Sequence, residues 1–209
     1  MTVVIVKGDV VAGDVKRRMI QEAVGALARK GLQGASFSEV LAASGAPRGS
    51  LYHHFPGGKD ELVLSAMDAA AAWPLAALGE RRGRPAEEIA AAFIGLWRFV
   101  LTRSDFAAGC AIAAVTVATR EPDQLDRAAA LFRTWRVELA ALLAAGGVEP
   151  VRAEYLAALL IASCEGAVVL ARAERSFDSF DRVMAEVLAA VRGADKGSSP
   201  IDSYYTVPL

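Results

Sequence analysis

Arg48, Gly49 and Ser50 set a fork of guanidinium donors, a bare stretch of backbone and a hydroxyl on consecutive positions. Tyr52, His53 and Lys59 add a phenol, an imidazole and an ammonium shortly after. Groups of this kind hydrogen-bond to flat acceptors and to phosphate oxygens, and they do not make a nucleophile–base pair. His53 and His54 are the only histidines, and adjacent helical positions point apart, so a shared metal ion is not expected. No Ser, Cys or carboxylate at motif spacing supports a catalytic role for them, and Cys164 and Glu165 are isolated polar candidates. There is no phosphate loop and no GxGxxG run, so no cofactor is expected and the chain is not read as an enzyme. Cys110 and Cys164 stand far apart without a CxxC pair, which argues against a disulfide framework or zinc site and fits a reducing cytoplasm.

The elements that must hold these groups are legible around them. Ser36 with Glu39 makes a capping box at the start of a short helix. Phe37, Val40 and Leu41 give that helix an apolar face, and Gly45 offers a left-handed stop. Pro47 fits the first turn of a second short helix. Arg48, Gly49 and Ser50 lie on its exposed front, while Leu51 and Phe55, four apart, point inward. Two helices joined by a glycine turn, the second bearing small, basic and hydroxyl residues, form the helix-turn-helix design that lays a helix in the DNA major groove. Ahead of them a helix is predicted from a cap at Asp14 to about Lys30, stopping at Gly31, with Val15, Met19, Ala23, Val24, Leu27 and Ala28 on one face. Lys16, Arg17 and Arg18 crowd its first turn against the dipole, where a phosphate or a solvated start would compensate them.

Here the chain resembles the TetR family of bacterial transcriptional regulators. The matching residues are Gly45, Arg48-Gly49-Ser50, Leu51-Tyr52-His53-His54-Phe55 and Lys59, followed by Asp60-Glu61-Leu62. Gly57-Gly58 lengthens the family's usual turn before Lys59. The resemblance and the helix-front positions assign Ser36, Tyr52, His53 and Lys59 to phosphates and Arg48, Gly49 and Ser50 to base edges. Arg48 could pair bidentately with guanine.

The rest of the chain reads as an all-α body. Residues 1–60 hold 8 Lys/Arg against 5 Asp/Glu, and residues 61–209 hold 15 against 19. That balance suits a small cationic reading head on a mildly acidic body, although surface scatter would also produce it. Composition is 54% apolar and rich in alanine, which favours helices. No stretch reaches the uninterrupted apolar length of a membrane span. About nine helices are predicted, three in a head over 14–60 and six in a body over 61–193, between a flexible arm (1–13) and a loose tail (194–209). A long helix from about Lys59 to Gly79 is interrupted at Trp73-Pro74, where a bend would join head to body. A turn at 81–85 precedes a helix to about Thr102. A buried helix from about Phe106 to Thr119 comes next. Pro122 and Pro150 open two long helices, and Asp178 or Ser179 caps the last.

The body resembles, more weakly, the ligand-binding domains of the LmrA/YxaF branch, through Gly109-Cys110, Phe132-x-x-Trp135 and Cys164-Glu165-Gly166-Ala167, with Ala111 where that branch usually has Pro. The branch implies release from DNA by small, flat, apolar compounds. Trp73, Phe93, Trp97, Cys110, Phe132 and Trp135 are candidate pocket residues, although aromatics at helical spacing also simply fill cores. One short reading helix covers few bases, so a dimer is expected, with Tyr155, Leu159, Ala162 and Gly166 of one helix and Val183, Val187 and Val191 of the last at its interface. The expected function is that of a ligand-responsive repressor bound as a homodimer to a palindromic operator in double-stranded DNA, without membrane partners. The rival is an all-helical enzyme or small-molecule carrier with a front domain that only looks like a reader.

Overall fold

A computed structural model describes residues 7–47 and 49–194, those before residue 14 by their backbone alone. Expectations for residues 1–6, for Arg48 and for the tail after Ala194 lie outside the described residues. Within them the chain is all-α, with nine helices and no strand. They are α1 (Lys7–Gly34), α2 (Phe37–Ser44), α3 (Ser50–His54), α4 (Gly58–Gly79), α5 (Ala86–Arg103), α6 (Ala111–Ala118), α7 (Pro122–Ala145), α8 (Pro150–Glu174) and α9 (Asp178–Ala194).

Packing gathers these helices into two compact units. The first comprises residues up to Pro74 together with Val100–Thr134, and the second comprises Leu75–Phe99 with everything from Trp135 onward. Packing therefore groups α6 and the first part of α7 with α1–α3, a cut different from the sequence-based division at residue 60.

In the first unit, Met19, Ala23 and Leu27 recur every fourth residue on α1 and are fully covered, as an apolar stripe on a 3.6-residue helix requires. α1 begins seven residues before the expected cap. Asp14 caps nothing: it sits within the helix and accepts from Arg17 and Arg18 one turn on, and no proline in that stretch stops the helix from extending upstream. α6 starts later than expected, because Asp105 and Phe106 both take positive φ (49 and 59). The Phe106 N–H bonds to the Leu101 carbonyl at 2.9 Å, closing α5 in a C-terminal turn instead of opening the next helix. Cys110 then caps α6 by accepting from the Ala113 N–H. α6 buries Ala111, Ile112 and Val115, yet Val117 is 85% exposed, so the helix is apolar all round without being covered all round.

α4 runs from Gly58 to Gly79 with Pro74 inside it, and the boundary between the units falls at Pro74. α7 and α8 begin at Pro122 and Pro150 as expected, since proline at the first turn gives up an amide that has no partner there. The cap of α8 is Glu149, whose carboxylate accepts from the Val151 and Arg152 amides at 3.0 and 2.8 Å. α4 and α8 are long and apolar enough, by length and composition, to cross a membrane. Core helices pass the same test, and both carry buried positions, among them Leu62 and Met67 on α4 and Leu156 and Leu160 on α8.

In the second unit, α8 and α9 pack against each other along their length. Four alanines, Ala153, Ala157, Ala167 and Ala171, keep the buried side of α8 low, and Phe180, Met184, Val187 and Val191 of α9 are equally covered. Cys164 lies against the Met184 sulfur at 3.6 Å. Phe93, Trp97 and Trp135 meet edge to face with ring centres 6.1–6.4 Å apart, the favoured arrangement of aromatic quadrupoles. Trp135 is 2% exposed. Trp135→Ala should therefore cost about 3–5 kcal/mol, the usual range for emptying a buried aromatic site. Urea unfolding would show it as a lower midpoint at unchanged slope.

Candidate nucleic-acid interface

The Ser36 hydroxyl caps α2 by accepting from the Glu39 N–H at 3.3 Å. Glu39 in turn accepts from Lys30 at 2.9 Å. That pairing with Lys30, helped by the Ser36 backbone N–H, draws the Glu39 carboxyl below its ordinary range. The capping box is thus tied to the end of α1, a link that the local pattern Ser-x-x-Glu did not reveal. Gly45 ends α2 at φ 66, ψ 17, in the left-handed region.

The reading helix is shorter than expected. Both the amide and the hydroxyl of Ser50 donate to the Pro47 carbonyl, at 3.0 and 2.7 Å. Pro47 therefore belongs to the turn before α3, and regular helix begins at Ser50. Leu51 and Phe55 are 3% and 0% exposed and anchor α3 from beneath. Tyr52 is 68% exposed, with its ring edge-on to Phe37 of α2 at 6.3 Å. His53 is exposed and His54 half-buried. Their rings lie 5.1 Å apart instead of pointing away from each other, and the backbone leaves the helix directly after them, with Phe55 at φ −136, ψ 73. Burial first, then the charges of His53 and Lys16, pull His54 below its ordinary 6.5.

Ser36, Gly49, Ser50, Tyr52 and His53 therefore sit on α2, α3 and the turn between them. Lys59 is turned another way, its ammonium donating to the Leu32 carbonyl at 3.3 Å. The cations of α1 are engaged as well. Arg17 and Arg18 pair with Asp14, and Lys16 lies over the Phe55 ring at 5.1 Å. The residues after α3 are held by Glu61, which accepts from the Gly57 N–H at 2.8 Å. α4 begins at Gly58, within one residue of the start expected at Lys59.

The six candidate pocket residues divide between the units. Phe93, Trp97 and Trp135 form the aromatic cluster of the second. Trp73, Cys110 and Phe132 belong to the first, with Trp73 44% exposed and Cys110 buried. Of the interface candidates, Tyr155, Leu159, Ala162 and Gly166 are exposed on α8. Val187 and Val191 are 4% and 1% exposed, covered by the chain's own core, and Val183 is half-buried. A count of apolar residues on α9 could not tell an internal partner from an external one.

Comparison with known proteins settles the family. A family model described as "Bacterial regulatory proteins, tetR family" matches residues 19–66, and one described as "Transcriptional regulator LmrA/YxaF-like, C-terminal domain" matches residues 85–186. An uncharacterised HTH-type transcriptional regulator of Mycobacterium tuberculosis is 39% identical over 175 residues, spanning 80% of this chain and 89% of that one. The chain belongs to the TetR family. The HTH-type transcriptional regulator LmrA of Bacillus subtilis is 38% identical over 56 residues, 27% of this chain and 30% of that one. Among solved structures, regulatory protein TetR from Rhodobacter sphaeroides superposes with a TM-score of 0.74 at 20% identity, over 84% of this chain and 98% of that one. A TetR regulator from Chloroflexus aurantiacus does so at 0.68 and 26%, over 87% and 96%. The protein is therefore a DNA-binding helix-turn-helix regulator of transcription and not an enzyme.

His54 gives this head a pH signature. Its folded pKa lies below the unfolded value, so the folded head binds fewer protons near pH 6. Stability contributed by the neutral ring is complete above 6.5 and declines as pH falls through that value. Urea midpoints measured from about pH 7.5 to about pH 5.5 should decline less in His54→Asn than in the parent chain.

Proposed function

We propose that this regulator is a homodimeric, ligand-responsive repressor, acting in the cytoplasm on a palindromic operator and released by a small apolar or aromatic effector. The outward face of α8 carries the reading. Val151, Tyr155, Leu159, Ala162, Gly166 and Val169 recur at three- and four-residue spacing and all are exposed, Tyr155 at 58% and Val169 at 64%. The opposite face of the same helix is the core of the second unit. A helix apolar on both sides needs cover on both, and a second copy related by a two-fold axis supplies it with the same surface. Ala185 and Ala189, small and exposed on α9, allow close approach beside it.

Two reading heads held at fixed separation then address two half-sites, which one five-residue helix cannot do alone. Ser36, Tyr52 and His53 meet phosphates, and Arg48, Gly49 and Ser50 meet base edges. A flat apolar effector would enter by parting the buried Phe93, Trp97 and Trp135 cluster and taking over its ring contacts. That effector can shift the equilibrium only by its difference in affinity for the two geometries.

Gel shifts on the DNA flanking the protein's own coding sequence, at fixed salt, test the reading. Arg48→Ala should weaken the cognate duplex by about 1–3 kcal/mol and relax preference at one base pair. Equal weakening on every duplex would move Arg48 to a phosphate. Leu159→Asp, on the exposed face of α8, should give a folded monomer by sedimentation that no longer shifts the duplex. A parent chain that sediments as a monomer at micromolar concentration would overturn the dimer.

A further inference from the structure

α1 contains one internal break, at Gly31, which stands at φ 71, ψ −172. That positive-φ, extended conformation is open in practice to glycine alone. Nothing lies within 4 Å of where a Cβ would be, so the backbone path, and not crowding, calls for glycine. In an unbroken helix the Ala28 carbonyl would accept from the amide of residue 32. Here it accepts from the Gly109 N–H at 2.9 Å, in the turn immediately before Cys110 caps α6. One residue beyond the break, the Leu32 carbonyl accepts from the Lys59 ammonium at 3.3 Å, at the start of α4. Carbonyls on either side of a single glycine thus receive the start of α4 and the turn that leads into α6. Lys59 is half-buried in this position, unlike exposed Tyr52 and His53.

We propose that Lys59 and Gly109 are positioning residues for DNA reading, seated on the carbonyls that the break at Gly31 presents, and that Lys59 acts on the head and not on the phosphates. α2 packs on α1 directly after the break, so whatever fixes the end of α1 also fixes the capped start of α2. Gly109 lies just ahead of the Cys110 cap of α6, and a displacement there reaches α1 through one hydrogen bond. The assignment rests on α3 being the DNA-reading helix.

The test uses the full chain and a duplex selected by the parent protein from a random-sequence pool. Lys59→Met and Gly31→Ala should each lower affinity at least fivefold while leaving the slope of log affinity against log salt unchanged. A lost phosphate contact in each of two subunits would instead reduce that slope by about 2. Gly31→Ala lets α1 continue as regular helix, so the Gly109 amide should exchange with solvent at least tenfold faster in the free protein. Since both changes undo one joint, the double variant should lose less than the product of the single losses. A reduced salt slope in Lys59→Met, unchanged exchange at Gly109 in Gly31→Ala, or fully multiplicative losses would each overturn the proposal. A parent chain that selects no duplex would overturn the reading of α3 beneath it, a result distinct from the others because the exchange experiment needs no DNA.

Discussion

A helix of five residues has no stability of its own in water. Nucleating the first turn costs more than so few hydrogen bonds return, so α3 exists because Leu51 and Phe55 are anchored in the core beneath it. Much of the head serves that constraint. Met19, Ala23 and Leu27 of α1 are fully covered in the same unit, Lys16 lies over the Phe55 ring, and Phe37 of α2 meets Tyr52 edge-on. The outward side of α3 stays open, with Tyr52 68% exposed, because Leu51 and Phe55 anchor the helix from beneath.

The head's positive balance takes on a more particular meaning in the structure. Arg17 and Arg18 share Asp14, and Lys30 holds Glu39. These pairs are exposed, with side chains 41–70% open in all three, and exposed pairs contribute little to stability and are screened by salt. Such a cation can leave its carboxylate for a phosphate at small cost. Total charge therefore describes the long-range attraction, while the pairing decides which cations move at contact.

The helix-turn-helix and the all-α architecture were legible because their signals are local. Ser36, Gly45, Pro122 and Pro150 each act on backbone groups within a turn of themselves, and each does so here. What sequence did not disclose depended on partners far along the chain. Asp105 and Phe106 take left-handed conformations without being glycine, held by a bond back to Leu101, and so delay α6. Lys59 matches a family position, but its partner, Leu32, is 27 residues away. The apolar residues of α9 are too many to leave in water, yet only the fold tells that Val187 and Val191 are covered within the chain itself while the outer face of α8 stays open. Side-chain roles at the reading surface were inferred from type and position, and Arg48 is known here by type alone.

Cys164 carries a consequence for chemistry outside DNA. It is fully covered, packed on the Met184 sulfur, and burial, with the neighbouring Glu165 charge, pushes its thiol far above the ordinary range. Because the thiolate is the nucleophile in oxidation and alkylation, this sulfur is inert to peroxides and electrophiles as long as α8 and α9 stay together. Its reaction with a thiol reagent would therefore report the parting of those two helices, a clock for opening of the body that is written into the native sequence.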